Sequence, residues 1–456
     1  MKYLTTNKKV LLLFTSLLLI FNFSLCSSKS GVNDYQFPRI ISGQVKNQTG
    51  LPLENAKVSL ITAPEIEPVF TNAQGYFRLE NVPAAKHKIK VELYGYEDYI
   101  ADVPSAINGI STINPILTKK SYTTPSSKPI SKGPVKIFNN KLQVDFDGDG
   151  NYSDFFIKGV AFSPTPIGNR PITIQQEDRS LQFLKDLNAN TIRTYSGANP
   201  SFLKRLAENG IYCILGFWID YNLDLSIPAN REKIKNDWIK FVYQFKDNPG
   251  LLIWNIGNEQ NYQNGNNPYW YSLCQELATI AYNIEGEKYH PVAINNGEIF
   301  NIGNASMYAD DNSLTYIDLW AMNLYNYNLA SRINQYKTKT IKPLVITEFG
   351  IDALDNRTKQ EYETMQAVFD SLNWQQILSV KDVCIGATVF EFTDEWWKDK
   401  DPWSHDFGGY PTNQHPDGYS NEEWWGIIRV LPDSNNDGLD EWIPREAFYM
   451  FQRNWK

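Results

Sequence analysis

Residues 251–259 read LLIWNIGNE and residues 343–350 read PLVITEFG: two apolar runs of strand length, each ending on a glutamate, Glu259 and Glu348. Runs of the same kind recur on either side of them, as DFFIKGVAF (154–162), NTIRTY (190–195), YCILGFW (212–218), PVAINNG (291–297), LWAMNLY (319–325) and IGATVFEFTD (385–394). Between them lie stretches with apolar residues at helical spacing, among them RSLQFLKDLNA, NPSFLKRLAENG, NDWIKFVYQFKDN, PYWYSLCQELATIAYN and KQEYETMQAVFDSL. Eight strands alternating with helices predict an α/β chain closed into a (β/α)8 TIM barrel over residues 137–456. An open, doubly wound sheet would need a glycine-rich phosphate turn after its first strand, and GVAFSPTPIGN does not supply one.

Upstream the pattern changes. Residues 39–118 break into short alternating runs cut by turn residues (SGQV, AKVSLIT, GYFRLENV, HKIKVELYGY), the pattern of a small β-sandwich. Gly75 stands where a turn would need positive φ, and Phe77, Leu79 and Val82 would then face the core. Residues 119–136 (KKSYTTPSSKPISKGPVK) lack apolar periodicity and read as a linker. At the start, Lys2, Lys8 and Lys9 precede an apolar run from Val10 to Phe23, too short and wrongly flanked for a membrane span. Residues 1–26 are therefore expected to be an export signal. Cys26 raises the alternative of a lipoprotein anchor, the one expected link to a membrane, although Leu25 is larger than such signals usually carry. The destination would be periplasm, outer membrane or the outside of the cell.

Composition limits the partners. Net charge is −8 with no long basic run, which argues against nucleic acid, and aromatic residues make up 14% of the chain, which suits stacking on sugar rings. Cys213, Cys274 and Cys384 show no metal or redox spacing, and four histidines without HxH or HExxH disfavour metal-dependent hydrolysis. No cofactor is expected. Two acidic turns, beginning at Asp145 and Asp433, start like calcium loops but place Phe156 and Pro444 where a bidentate glutamate belongs, so a polar turn is the simpler reading and any calcium would be structural.

Active sites of such barrels lie at the C-terminal strand ends. Glu259 and Glu348 end the fourth and seventh strands, facing one another across the barrel mouth. Retaining glycoside hydrolysis needs two carboxylates about 5 Å apart, one to protonate the leaving oxygen and one to attack, whereas a gap of roughly 6.5–9.5 Å would admit water and give inversion.

The GNE and TEFG strand ends resemble the retaining glycosidases of the Asn-Glu barrel superfamily. The barrel is similar to the family 2 β-glycosidase catalytic domain and, in KGVAFSP, DLNANTIRTYSG, LAENGIYCILGF and VFEFTDE, to the family 72 β-1,3-glucanosyltransferases. The upstream segment resembles carboxypeptidase regulatory-like domains, with a carbohydrate-binding module as the alternative. The resemblance implies Glu259 as acid/base, Glu348 as nucleophile, Asn258 as a ligand of the sugar 2-hydroxyl, Arg193 as a positive charge beside the nucleophile and Tyr325 as its hydrogen-bond donor. Trp218, Trp396 and Trp397 are candidates for sugar stacking, and Glu391, with Asp394 and Glu395 crowding the same strand end, is a candidate for binding sugar hydroxyls. The segment WWKDKDPWSHDFGGYPTNQHPDGYSNEEWWGI has no counterpart in the fungal enzymes. The expected function is hydrolysis of a β-linked glucan or related polysaccharide through a covalent glycosyl-enzyme. The alternatives are glucanosyl transfer and an inactive carbohydrate-binding barrel.

Overall fold

The computed structural model describes residues 38–106, 108–123, 125, 128–263 and 268–456. The expected export signal and Cys26 lie outside the described residues. Eight parallel strands form a closed barrel in sequence order: β1 (Ile157–Ala161), β2 (Thr191–Arg193), β3 (Tyr212–Phe217), β4 (Leu251–Ile256), β5 (Val292–Gly297), β6 (Leu319–Asn323), β7 (Leu344–Glu348) and β8 (Cys384–Val389), with β8 pairing back to β1. Every residue of β4, β5, β6, β7 and β8 is buried, because side chains on one strand face fill the barrel and those on the other meet the helices. The surrounding helices are α1 (Ile174–Asp186), α2 (Pro200–Ala207), α3 (Pro228–Phe245), α4 (Pro268–Glu285), α5 (Leu329–Tyr336), α6 (Glu363–Ser379) and α7 (Glu446–Asn454). Thr173 and Asn199 cap α1 and α2 by accepting backbone N–H groups. Between β5 and β6 a 3-10 turn (Ala305–Met307) replaces a helix.

A three-stranded antiparallel sheet (Val135–Phe138, Lys141–Val144, Ser153–Asp154) closes the bottom, and its Val135, Leu142 and Val144 pack with Ile157, Ile214 and Leu252. The turn that follows draws the Asp145 carboxylate onto the backbone N–H groups of Asp149 and Gly150.

The N-terminal unit packs a three-stranded sheet (Tyr76–Val82, Arg39–Gln44, Ile110–Thr112) against a four-stranded one (Val69–Phe70, Lys57–Leu60, Lys88–Glu92, Tyr99–Asp102) around Ile41, Val58, Phe77, Leu79 and Val91. Gly75 has φ +75°, and a Cβ there would sit 2.5 Å from the Val45 carbonyl oxygen, so the turn requires glycine. The unit rests on the barrel through Lys57–Asp247 at 2.9 Å and Lys246–Glu92 at 3.2 Å. Between them, Lys128 pairs with Asp318 of the barrel at 2.6 Å and covers the Tyr289 ring. No helix among the described residues is long and apolar enough to cross a membrane.

Candidate active site

The register of β2, β4, β6 and β7 brings Arg193, Asn258, Asn323 and Glu348 to one end of the barrel. Glu348, the last residue of β7, receives three donors. Arg193 Nη1 lies 2.8 Å and Tyr195 OH 3.0 Å from Oε1, and Tyr325 OH lies 2.5 Å from Oε2. Arg193 is fully buried, its guanidinium 3.6 Å from the centre of the Tyr195 ring. Its second arm donates to Asn258 Oδ1 at 2.6 Å, so one rigid fork fixes the nucleophile candidate and the asparagine beside the acid candidate. Burial and the Glu348 charge push the Tyr325 hydroxyl well above its ordinary range, which keeps it a donor.

Glu259 reaches the same network from the other side. The backbone turns sharply after β4, with Gly257 at φ +70° and Glu259 at φ +57°. A Cβ on Gly257 would come 2.2 Å from Gln260 Oε1, the atom that accepts the Asn258 N–H. Asn323 Nδ2 donates to Glu259 Oε1 at 3.0 Å and to Asn258 Oδ1 at 3.2 Å. Its own orientation is set by Thr347, which donates to Asn323 Oδ1 at 2.8 Å. Burial, and then the nearby Glu348 charge, push the Glu259 carboxyl up to about 7, against the smaller pull of Asn323. Two carboxyls thus share one hydrogen-bonded chain, one beside an arginine and two tyrosines, the other able to hold a proton near neutrality.

A cleft of about 540 Å³ opens beside Glu348, lined by Tyr195, Trp218, Asn258, Glu348, Trp397 and Glu422 among others. That size and lining suit a sugar-sized ligand held by flat rings and a few polar groups. Trp218, 42% exposed, stands on its wall. Trp396 does not. It is 9% exposed, packs with Ile167 and Val430, and its ring is stacked under His405 at 4.7 Å, so no free face remains for a sugar; Trp397, 42% exposed, takes the cleft position instead. Glu391 is also placed differently from expectation, buried against Lys398 Nζ at 3.1 and 3.2 Å behind the lining residues. Asp394 forms a fully buried two-pronged pair with Arg445 at 2.6 and 2.7 Å and holds the chain entering α7. Tyr195, Tyr221 and Asn323 join the site although no motif marks them. Tyr195 stands two residues after Arg193 and Asn323 two before Tyr325, the spacing at which strand side chains share a face, and that signal was available. Tyr221, which donates to the Asn258 carbonyl, lies in a loop where no period applies.

Both units of the chain have relatives among known proteins. Residues 40–118 match the carboxypeptidase regulatory-like domain, and residues 127–398, more than half of the chain, match the glucanosyltransferase family. The chain is 23% identical over 270 residues to the 1,3-beta-glucanosyltransferase GAS5 of Saccharomyces cerevisiae, covering 53% of each protein. It is 21% identical over 310 residues to the 1,3-beta-glucanosyltransferase PGA4 of Candida albicans, covering 60% of this chain and 63% of that one. It therefore spans about half to three-fifths of the length of these relatives. Among solved structures, a GH2 beta-galacturonidase from Eisenbergiella tayi superposes with a TM-score of 0.51 at 15% identity, covering 88% of this chain and 66% of that one. A b-glucuronidase from Ruminococcus gnavus gives 0.51 at 15% identity, covering 88% and 62%. At such identity the superpositions speak for the barrel alone. By the match over its barrel, the chain belongs to the glucanosyltransferase family.

Proposed function

We propose that this protein is an exported enzyme that cleaves a β-1,3-glucan and passes the released chain to the hydroxyl of a second one. The carrying observation is the unequal pair: Glu348 gripped by Arg193, Tyr195 and Tyr325, and Glu259 with its carboxyl pushed up to about 7 within the same network. In the first step the Glu348 carboxylate attacks the anomeric carbon. The glycosidic bond breaks, and its oxygen takes the Glu259 proton. A glycosyl ester on Glu348 results. In the second step the Glu259 carboxylate removes a proton from an acceptor hydroxyl, whose oxygen attacks the anomeric carbon and returns the electron pair to Glu348. Asn258, with Oδ1 occupied by Arg193 and Asn323, has amide hydrogen to offer the sugar 2-hydroxyl.

The expectation favoured hydrolysis, with water as acceptor; the family match and the fungal relatives support transfer to a sugar instead. Incubation with a single-length laminari-oligosaccharide followed by chromatography tests this. Transfer gives products longer than the starting chain. Only shorter products would leave hydrolysis, and no products, with tight binding, would leave the inactive carbohydrate-binding barrel.

A further inference from the structure

Residues 399–425 follow the last residue of the family match, yet they fold back onto the catalytic end of the barrel. A hairpin (Gly409–Pro411 with Tyr419–Asn421) is held there by ties to the loop after β7: His415 Nδ1 lies 2.9 Å from Asp352 Oδ2, the Asn421 N–H donates to the same oxygen, and the Asn356 N–H donates to Asp417. Its base is fixed as well. The Glu423 carboxylate accepts the Asp399 and Asp406 N–H groups, and His405 is stacked between Trp396 and Trp424. This frame delivers Glu422 to the cleft wall, beside Glu395, Trp397 and Lys398.

We propose that these residues build a second sugar-binding position next to the reacting one. There the Glu395 and Glu422 carboxylates take hydroxyl hydrogens from a neutral glucan chain and the Trp397 indole covers an apolar sugar face. The proposal rests on the functional reading above.

Glu395 is 2% exposed and lines the cleft, and its Oε1 accepts no hydrogen bond from any nitrogen or hydroxyl of the described residues. Its Oε2 is engaged by Lys398 Nζ at 2.8 Å. Glu391 lies behind it, its carboxyl raised by burial and by the Glu395 charge and in hydrogen-bond contact with the Glu395 side chain. A carboxylate has about four acceptor positions, and these two neighbours leave Glu395 with capacity for sugar hydroxyls. Glu422 uses Oε1 to accept from Ser420 at 2.7 Å and keeps its other oxygen. Charge selects the occupant. Lys398 already contacts both oxygens of Glu391 and one of Glu395, and Arg193 is committed to Glu348 and Asn258. A uronate would bring a third anion against Glu395 and Glu422, whereas neutral hydroxyls complete them.

Titration calorimetry in an E348Q background, which removes turnover, tests the assignment with laminaripentaose as probe. E422A and W397A should each weaken binding about tenfold, or about 1.4 kcal/mol. Both side chains are partly exposed, so folding survives their loss even if E395Q, at a buried lysine contact, does not fold. Affinity unchanged within about twofold in E422A and W397A, with the E348Q parent still binding, would overturn the second position and leave the catalytic reading intact. Tighter binding of a glucuronate-containing oligosaccharide than of the neutral probe would overturn it too. If the parent binds no laminari-oligosaccharide and the native protein turns none over, the functional reading itself fails and takes the second position with it.

Discussion

Glu259 and Glu348 carry the same functional group and meet in one network, and their neighbours make them unlike. Glu348 has an arginine and two phenols on its oxygens; Glu259 has a single amide donor and a carboxylate nearby. Because the Glu259 carboxyl is raised to about 7, its proton is present below that pH and lost above it. The rate of a substrate with a poor leaving group is therefore expected to fall as pH rises through about 7, and Glu259→Gln should abolish that limb of the pH–rate profile. A profile that keeps the limb in the variant would assign it to another group. Tyr325→Phe removes one hydrogen bond to a charged oxygen, worth about 1.5–3 kcal/mol, so kcat/KM should drop roughly 10- to 100-fold. Steady-state kinetics with a β-linked aryl glycoside read this directly.

At the scale of elements, barrel strands are legible because each is a compact apolar run whose boundary is marked by polar residues, and the two candidate glutamates stand out because Glu348 ends one such run and Glu259 follows three residues after another. What was not legible belongs to the loops. Trp396 and Trp397 are chemically identical neighbours after β8, and only the fold of residues 399–425, arriving from later in the chain, decides that His405 covers one and leaves the other facing the cleft. Asp394 offered the same ambiguity: it reads as a rim acid until Arg445 pairs with it. That buried pair fastens the entry to α7. Arg445→Ala would leave the Asp394 charge without its partner, and a loss of about 3–5 kcal/mol is expected from denaturant unfolding. A change below about 1 kcal/mol, the scale of surface pairs, would show that α7 is held by its apolar face alone.

For the molecule as a whole, the sandwich and the barrel meet through Lys57–Asp247, Glu92–Lys246 and the segment that leads from one to the other. Lys57, Glu92 and Lys246 are largely buried at this junction, so the contacts are better shielded from salt than surface pairs. The two units are expected to melt as one. Removing both acids (Glu92→Ala with Asp247→Ala) should split the calorimetric transition in two, with kcat unchanged because neither residue approaches the cleft. A single unshifted transition in the double variant would place the coupling elsewhere. The arrangement assigns the sandwich a place beneath the barrel, away from the strand ends that carry Glu259 and Glu348.

The central claim is that Glu348 bonds covalently to the anomeric carbon while Glu259 manages the proton. Intact-protein mass spectrometry after treatment with an activated 2-deoxy-2-fluoro β-glucoside, followed by peptide mapping, tests it directly. The account predicts one added fluoroglycosyl group, located on Glu348 and lost on adding an acceptor sugar; a label on Glu259, or substrate turnover that inverts the anomeric configuration without any labelled protein, would contradict it.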